Sequence, residues 1–160
     1  MTAFIGSQDC STDPSGTVVH VNSGIAGIVQ PGTSGYAVSK LAAQRYIEFV
    51  AAGKICSTKG EKADTLVEYP SLRTFSLLPG VVKTDMLPPA YEPFAQDDAE
   101  LTGSLCLYLA QPRADFLKGS LVSINWDVDE IESHKDEIQS KNMLRTTWIP
   151  VLPCCGGHGL

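Results

Sequence analysis

The stretch VNSGIAGIVQPGTSGYAVSK, residues 21–40, decides how the rest of the chain is read. It closes an apolar run, turns at Ser23, crosses the loop QPGTSG at residues 30–35 and opens a helix at Tyr36. The preceding run, TVVHVN at residues 17–22, is β-branched and almost continuously apolar, which suits a strand of a parallel sheet covered on both faces. The helix is expected over about residues 36–50. Four positions apart on it, Tyr36 and Lys40 share one face. A cation beside a phenol favours the phenolate. A tyrosine so placed can exchange a proton with a substrate hydroxyl or carbonyl near neutral pH, and Ser23 would supply the hydroxyl that holds the substrate oxygen. On spacing alone, a surface tyrosine and lysine on an ordinary amphipathic helix would look the same.

The serine decides between these readings. With Ser23 standing 13 residues before Tyr36, the arrangement resembles the Ser…Tyr-x-x-x-Lys site of the short-chain dehydrogenases/reductases. A second segment agrees: the strand expected at residues 72–78, LRTFSLL, runs into Pro79-Gly80-Val81-Val82-Lys83-Thr84, similar to the family's Pro-Gly-x-x-x-Thr segment. The resemblance covers about residues 17–149 and corresponds to the C-terminal half of a fungal-type NAD(P)-binding oxidoreductase. It implies an α/β fold, a partial Rossmann-like (doubly wound) three-layer α/β/α domain with a parallel sheet whose N-terminal half is missing. It also implies hydride transfer between NAD or NADP and a small-molecule carbonyl or alcohol. Tyr36 would be the acid/base, Lys40 would hold the nicotinamide ribose and tune Tyr36, and Ser23 would orient the substrate oxygen. Pro79, Gly80, Val82 and Thr84 would border the nicotinamide end of the cofactor, Val82 through its N–H and Thr84 through its hydroxyl. A related epimerase or dehydratase uses the same Tyr-x-x-x-Lys pair, but the Pro-Gly segment and the short C-terminal region fit it less well.

Outward from this centre, Val38, Leu41, Ala42, Tyr46, Phe49 and Val50 form the apolar stripe of the helix. The resemblance implies a homo-oligomer through helix 36–50. Residues 53–67, GKICSTKGEKADTLV, have no clear period and read as an insertion, either a solvated loop or the product of a retained intron. Residues 85–96 are proline-rich, with Met86, Leu87, Tyr91 and Phe94; in relatives this region is the mobile flap over the substrate. Asp97 reads as the N-cap of the next helix with Glu100 completing a capping box. That helix is expected to run to about Gln111, stop at Pro112 and turn Ala99, Leu105, Cys106, Tyr108 and Leu109 inward. A last strand is expected over residues 119–125, then an acidic-first, lysine-last helix over residues 127–141. His20 interrupts the first strand and reads as a histidine paired within the sheet rather than a catalytic base.

The ends and totals bound the rest. Residues 1–16 read as a flexible arm and residues 150–160 as a tail. Cys154, Cys155 and His158 lack zinc-ligand spacing, so no metal is expected. A formal net charge of −6 argues against a nucleic-acid partner or an anionic membrane surface, and no apolar run is long enough to span a bilayer. Five scattered cysteines read as reduced thiols of a cytoplasmic protein. The family's glycine-rich Gly-x-x-x-Gly-x-Gly turn is absent, as are its Asn-Asn-Ala-Gly segment and catalytic asparagine. Without that turn nothing gathers the cofactor's pyrophosphate, so activity is expected to be impaired. The strand at residues 17–22 is also expected to show a bare apolar edge. The rival expectation is a non-catalytic truncated fragment, or a half-domain that pairs its edge with a partner.

Overall fold

The computed structural model describes residues 2–5, 15–52 and 71–147. Residues 53–67 and the cysteines and histidine of the tail lie outside them. The first strand, β1 (Thr2–Ile5), pairs antiparallel with β2 (Gly16–Val21). From β2 the chain passes through a short 3-10 turn, Gly24–Gly27, into helix α1 (Ser34–Ala52). Strand β3 (Leu72–Leu78) then lies parallel to β2, and β4 (Leu121–Ser123) parallel to β3, giving the order β1-β2-β3-β4. Between them lie a 3-10 turn at Pro89–Phe94, helix α2 (Ala99–Leu109) and a second 3-10 segment, Pro112–Leu117. Two short helices follow, α3 (Val128–Ser133) and α4 (Lys135–Ser140). The expected α/β architecture is present, with three parallel strands and a helix on each face.

Strand alternation divides the sheet into two chemically different faces. Val19 pairs with Phe75 and Val21 with Leu77 in register, and these side chains join Val122 in the apolar core with Leu105, Leu109, Phe116 and Leu117. On the opposite face Val18 stands opposite Thr74 and His20 opposite Ser76, under α1. Thr74 and Ser76 are buried there, and the Thr74 hydroxyl donates to the Ile47 carbonyl at 3.2 Å. Arg73, at the start of β3, donates to the Ala110 and Gln111 carbonyls and to Asp115. It thereby satisfies carbonyls at the C-terminus of α2 that have no intrahelical partner.

Several expectations change. The bare edge on β2 is covered, because Thr2–Ile5 of the expected arm forms β1 against it. Most of the stripe of α1 does not face the sheet: Val38 is 65 % exposed, Leu41, Ala42, Tyr46 and Phe49 are exposed with it, and of the expected stripe only Val50 is buried. The buried positions are Gln44, Ile47, Glu48 and Val50. Asp98, not Asp97, caps α2, accepting from the Glu100 N–H at 3.0 Å. Ala99 faces outward, while Leu105, Tyr108 and Leu109 are buried as expected and Cys106 packs partly buried against the core. The last strand is reduced to Leu121–Ser123. The expected helix after it starts at its Asp127 cap but breaks at His134 into α3 and α4.

Candidate active site

In parallel strands the chain leaves the sheet at the same edge, so residues just beyond β2, β3 and β4 converge. Ser23 follows β2, Pro79 and Gly80 follow β3, and Asn125 follows β4. This is the edge at which open α/β sheets bind their ligands.

Ser23 has extended backbone and caps the 3-10 turn, its Oγ accepting from the Ile25 N–H at 3.4 Å. A serine hydroxyl that accepts still has its own proton to give. Among the described residues that proton has no acceptor. Helix α1 carries Tyr36 in its first turn and Lys40 one turn on. Lys40 Nζ donates to the Val21 carbonyl at 3.0 Å and lies 5.6 Å from the centroid of the Tyr36 ring, within cation–π range. Tyr36 is 48 % exposed. An ammonium has three donors. One is spent on Val21, and the other two have no partner among the described residues.

The Pro-Gly segment is built around a residue assigned another task by sequence. Asp97 accepts from the Val81 N–H and from the Asn125 amide, each at 2.6 Å, and its own N–H donates to the Val81 carbonyl at 3.2 Å. Val82 and Asp97 form a parallel β-bridge. The Val81 N–H first, and the Asn125 amide second, hold the Asp97 carboxyl below its ordinary value. Gly80 has φ +68°, and a Cβ there would fall 2.2 Å from Asp97 Oδ2, so the position requires glycine twice over. Thr84 is exposed and its carbonyl accepts from the Leu87 N–H at 3.0 Å. Beyond it Met86 and Phe94 are exposed. Tyr91 is half-buried, and its hydroxyl accepts from the Gln30 amide, which ties the segment to the loop between β2 and α1.

Behind Ser23 lies a buried polar network that sequence reading missed. Asn22 bonds Ser23, Ser76 and Gln44. Gln44 passes its amide on to Glu48 at 3.0 Å, and Glu48 also accepts from Arg45 and from the Thr146 N–H, each at 2.7 Å. Burial would raise the Glu48 carboxyl, but the Thr146 N–H, Gln44 and Arg45 outweigh it and hold it below its ordinary value. His20, on the same face, is partly buried; burial first and the Lys40 charge second keep its ring below the ordinary histidine value, and hence neutral. The legible signal was Lys40, Gln44 and Glu48 at i, i+4 and i+8, a polar stripe along one helix face.

No protein-family model matches the chain. Individual relatives do. The chain is 35% identical over 124 residues to a short chain dehydrogenase/reductase of Claviceps purpurea, covering 76% of this chain and 39% of the relative. It is 31% identical over 137 residues to the short chain dehydrogenase/reductase AacuD of Aspergillus aculeatus, covering 84% and 44%. The chain belongs to the short-chain dehydrogenase/reductase family. A solved 7α-hydroxysteroid dehydrogenase, complexed with NADH and 7-oxo glycochenodeoxycholic acid, shares the fold with a TM-score of 0.52. That match is 19% identical and covers 68% of this chain and 42% of that one. This short-chain dehydrogenase/reductase chain thus spans about two fifths of the length of the curated relatives it matches. Among its described residues no helix is long and apolar enough to cross a membrane.

Proposed function

We propose that the chain carries the acid/base and nicotinamide-side portion of an NAD(P)-dependent reductase or dehydrogenase acting on a small carbonyl or alcohol. The observation that supports this most is Lys40, which bridges the end of β2 to the Tyr36 ring and so places Tyr36, Lys40 and the strand end bearing Ser23 in one neighbourhood.

NAD(P)H, when bound, supplies the hydride. The chain's own residues do the remainder. Ser23 donates its unspent proton to the substrate oxygen and fixes its direction. Tyr36 gives a proton to that oxygen during reduction and takes one from the alcohol during oxidation. The two remaining N–H groups of Lys40 suit the ribose hydroxyls of the nicotinamide half. Pro79 and Gly80 let backbone approach the nicotinamide closely, and Val82 and Thr84 stand beside it with an N–H and a hydroxyl. The fit is to that half of the cofactor alone; among the described residues there is no glycine-rich strand-to-helix turn to take the pyrophosphate. Met86, Tyr91 and Phe94 would wall an apolar or aromatic substrate. The exposed apolar face of α1 would be covered by a second copy.

The test is binding and turnover with purified chain. NADPH and NADH fluorescence should saturate, carbonyl reduction should follow, and Tyr36→Phe should remove turnover about 10²-fold or more, the range of a lost general acid. Wild-type turnover that survives Tyr36→Phe would end the acid/base assignment. A second reading, a non-catalytic fragment, is favoured by the lack of a pyrophosphate cradle among the described residues; it requires that neither nucleotide binds.

A further inference from the structure

The reductase reading gives Ser23 a task that depends on where its hydroxyl points, yet Ser23 sits on a strand end entering a short 3-10 turn. Such a place does not by itself fix a side chain. The structure supplies a holder. Asn22 is 2 % exposed, and its carboxamide is nearly saturated. Its oxygen accepts from the Ser23 N–H at 2.8 Å, and its two amide hydrogens go to Ser76 Oγ at 3.1 Å and Gln44 Oε1 at 3.3 Å. Its own backbone N–H is tied to the Leu77 carbonyl at 2.7 Å. One residue away the Val21 carbonyl is held by Lys40. Three consecutive residues are thus gripped from three directions: by β3 through Ser76 and Leu77, by α1 through Lys40 and Gln44, and by Asn22 itself.

Nothing in folding the sheet requires a carboxamide here. An apolar residue would satisfy a strand end under a helix, whereas a buried asparagine must find three partners or lose stability. The three it finds are the serine assigned to the substrate, the helix that carries Tyr36 and Lys40, and the strand that leads into Pro79. We infer that Asn22 is a positioning residue, which locks the Ser23 peptide to α1 and β3 so that the Ser23 hydroxyl and the Tyr36–Lys40 pair keep one relative placement. Because the Ser23 N–H is consumed internally by Asn22, the Ser23 side chain alone is left to meet the substrate oxygen.

This inference rests on the reductase reading for its catalytic consequence but not for its geometry, and the test separates the two. Turnover of 9,10-phenanthrenequinone with NADPH is measured for wild type, Asn22→Leu, Ser23→Ala and the double variant, with far-UV circular dichroism as the check on folding. Asn22→Leu is expected to lower kcat about tenfold or more, as misplacement of a reacting group does, while NADPH affinity stays within about twofold. In the Ser23→Ala background the same change should cost less than about twofold, because two residues acting through one contact are not additive. An equal loss in both backgrounds, or an unchanged kcat in Asn22→Leu, overturns the inference. Should Asn22→Leu fail to fold, the same cycle is run with Asn22→Ser, whose hydroxyl falls short of the Ser23 N–H. If the wild-type chain turns over with neither NADPH nor NADH, the reductase reading fails by itself, and the placement is read from amide exchange. Protection of the Ser23 N–H should then fall about tenfold more than that of Val19 in the variant; equal change at the two amides overturns it.

Discussion

The two faces of the sheet are held to their helices by different physics. On one, Phe75, Leu77, Val19 and Val122 are closed off from water by Leu105, Leu109, Phe116 and Leu117, and the attraction is non-directional burial. On the other, hydrogen bonds of fixed direction from Asn22 to Gln44, from Thr74 to the Ile47 carbonyl and from Lys40 to the Val21 carbonyl join α1 to the sheet beside the buried Ile47 and Val50. Apolar packing gives the larger stabilisation, at about 1.5–3 kcal/mol for each large side chain buried, against about 0.5–1.5 kcal/mol net for a hydrogen bond. Hydrogen bonds give less energy but more definition of angle and register. The face that bears Tyr36 and Lys40 is the one on which directional bonds are concentrated.

Neighbouring residues on β3 test this contrast most directly. Phe75→Ala on the apolar face should cost about 3–5 kcal/mol in urea-induced unfolding; a loss below about 1 kcal/mol would show that the face is not the principal store of stability. Gly80→Ala comes next. A left-handed backbone costs a non-glycine residue roughly 1–2 kcal/mol, and the added methyl would displace the Asp97 carboxylate. Weakened NADPH binding should accompany a modest loss of stability. Ser76→Ala, one residue from Phe75 but on the polar face, should cost about 1 kcal/mol while lowering kcat more than its stability loss would suggest.

The smallest effect is one of pH. Glu48 is held below its ordinary value in the folded chain, so the unfolded chain binds the proton more readily. Its contribution is complete above the ordinary glutamate range and is lost as pH falls through the folded value. Glu48→Gln should therefore lower stability in the neutral region and converge on wild type as pH falls below about 4.5, flattening the acid side of the curve. His20 acts in the same direction at higher pH. Its folded value is depressed, so the stability it contributes in its neutral form is lost as pH falls below about 6.5. A thermal-shift series from pH 3 to pH 8 on wild type and Glu48→Gln separates the two.

Much of the apolar face was legible. β3 was placed to the residue, because the run LRTFSLL ends at Pro79-Gly80, and α2 was found from its acidic start and its proline stop. That Tyr36 and Lys40 share one helix face was legible from their spacing, while the roles proposed for them and for Ser23 come from the family resemblance alone. The polar face was hidden because periodicity was read from apolar residues alone. Val38, Leu41, Tyr46 and Phe49 do make a stripe, but it faces away from the sheet, and the lysine, glutamine and glutamate that face inward look like an ordinary solvated surface. Asp97 and Asp98 are adjacent candidates for one cap. A shift of a single residue freed Asp97 for Val81, and only the tertiary approach of Asn125 distinguishes them. Nor does the sequence around His134 carry a glycine or proline to announce the break between α3 and α4.

The bridge between Val82 and Asp97, with the Asp97 carboxylate on the Val81 N–H, joins the two ends of the segment running from Lys83 to Gln96. Its consequence is mechanical independence. A purse-string tied at its mouth can change shape without moving the seam it is sewn to. Residues such as Met86, Tyr91 and Phe94 can therefore be exchanged, or the segment lengthened, with little displacement carried back to Gly80 and Val82. On the reductase reading proposed above, substrate choice and cofactor geometry would then vary separately within one short piece of chain.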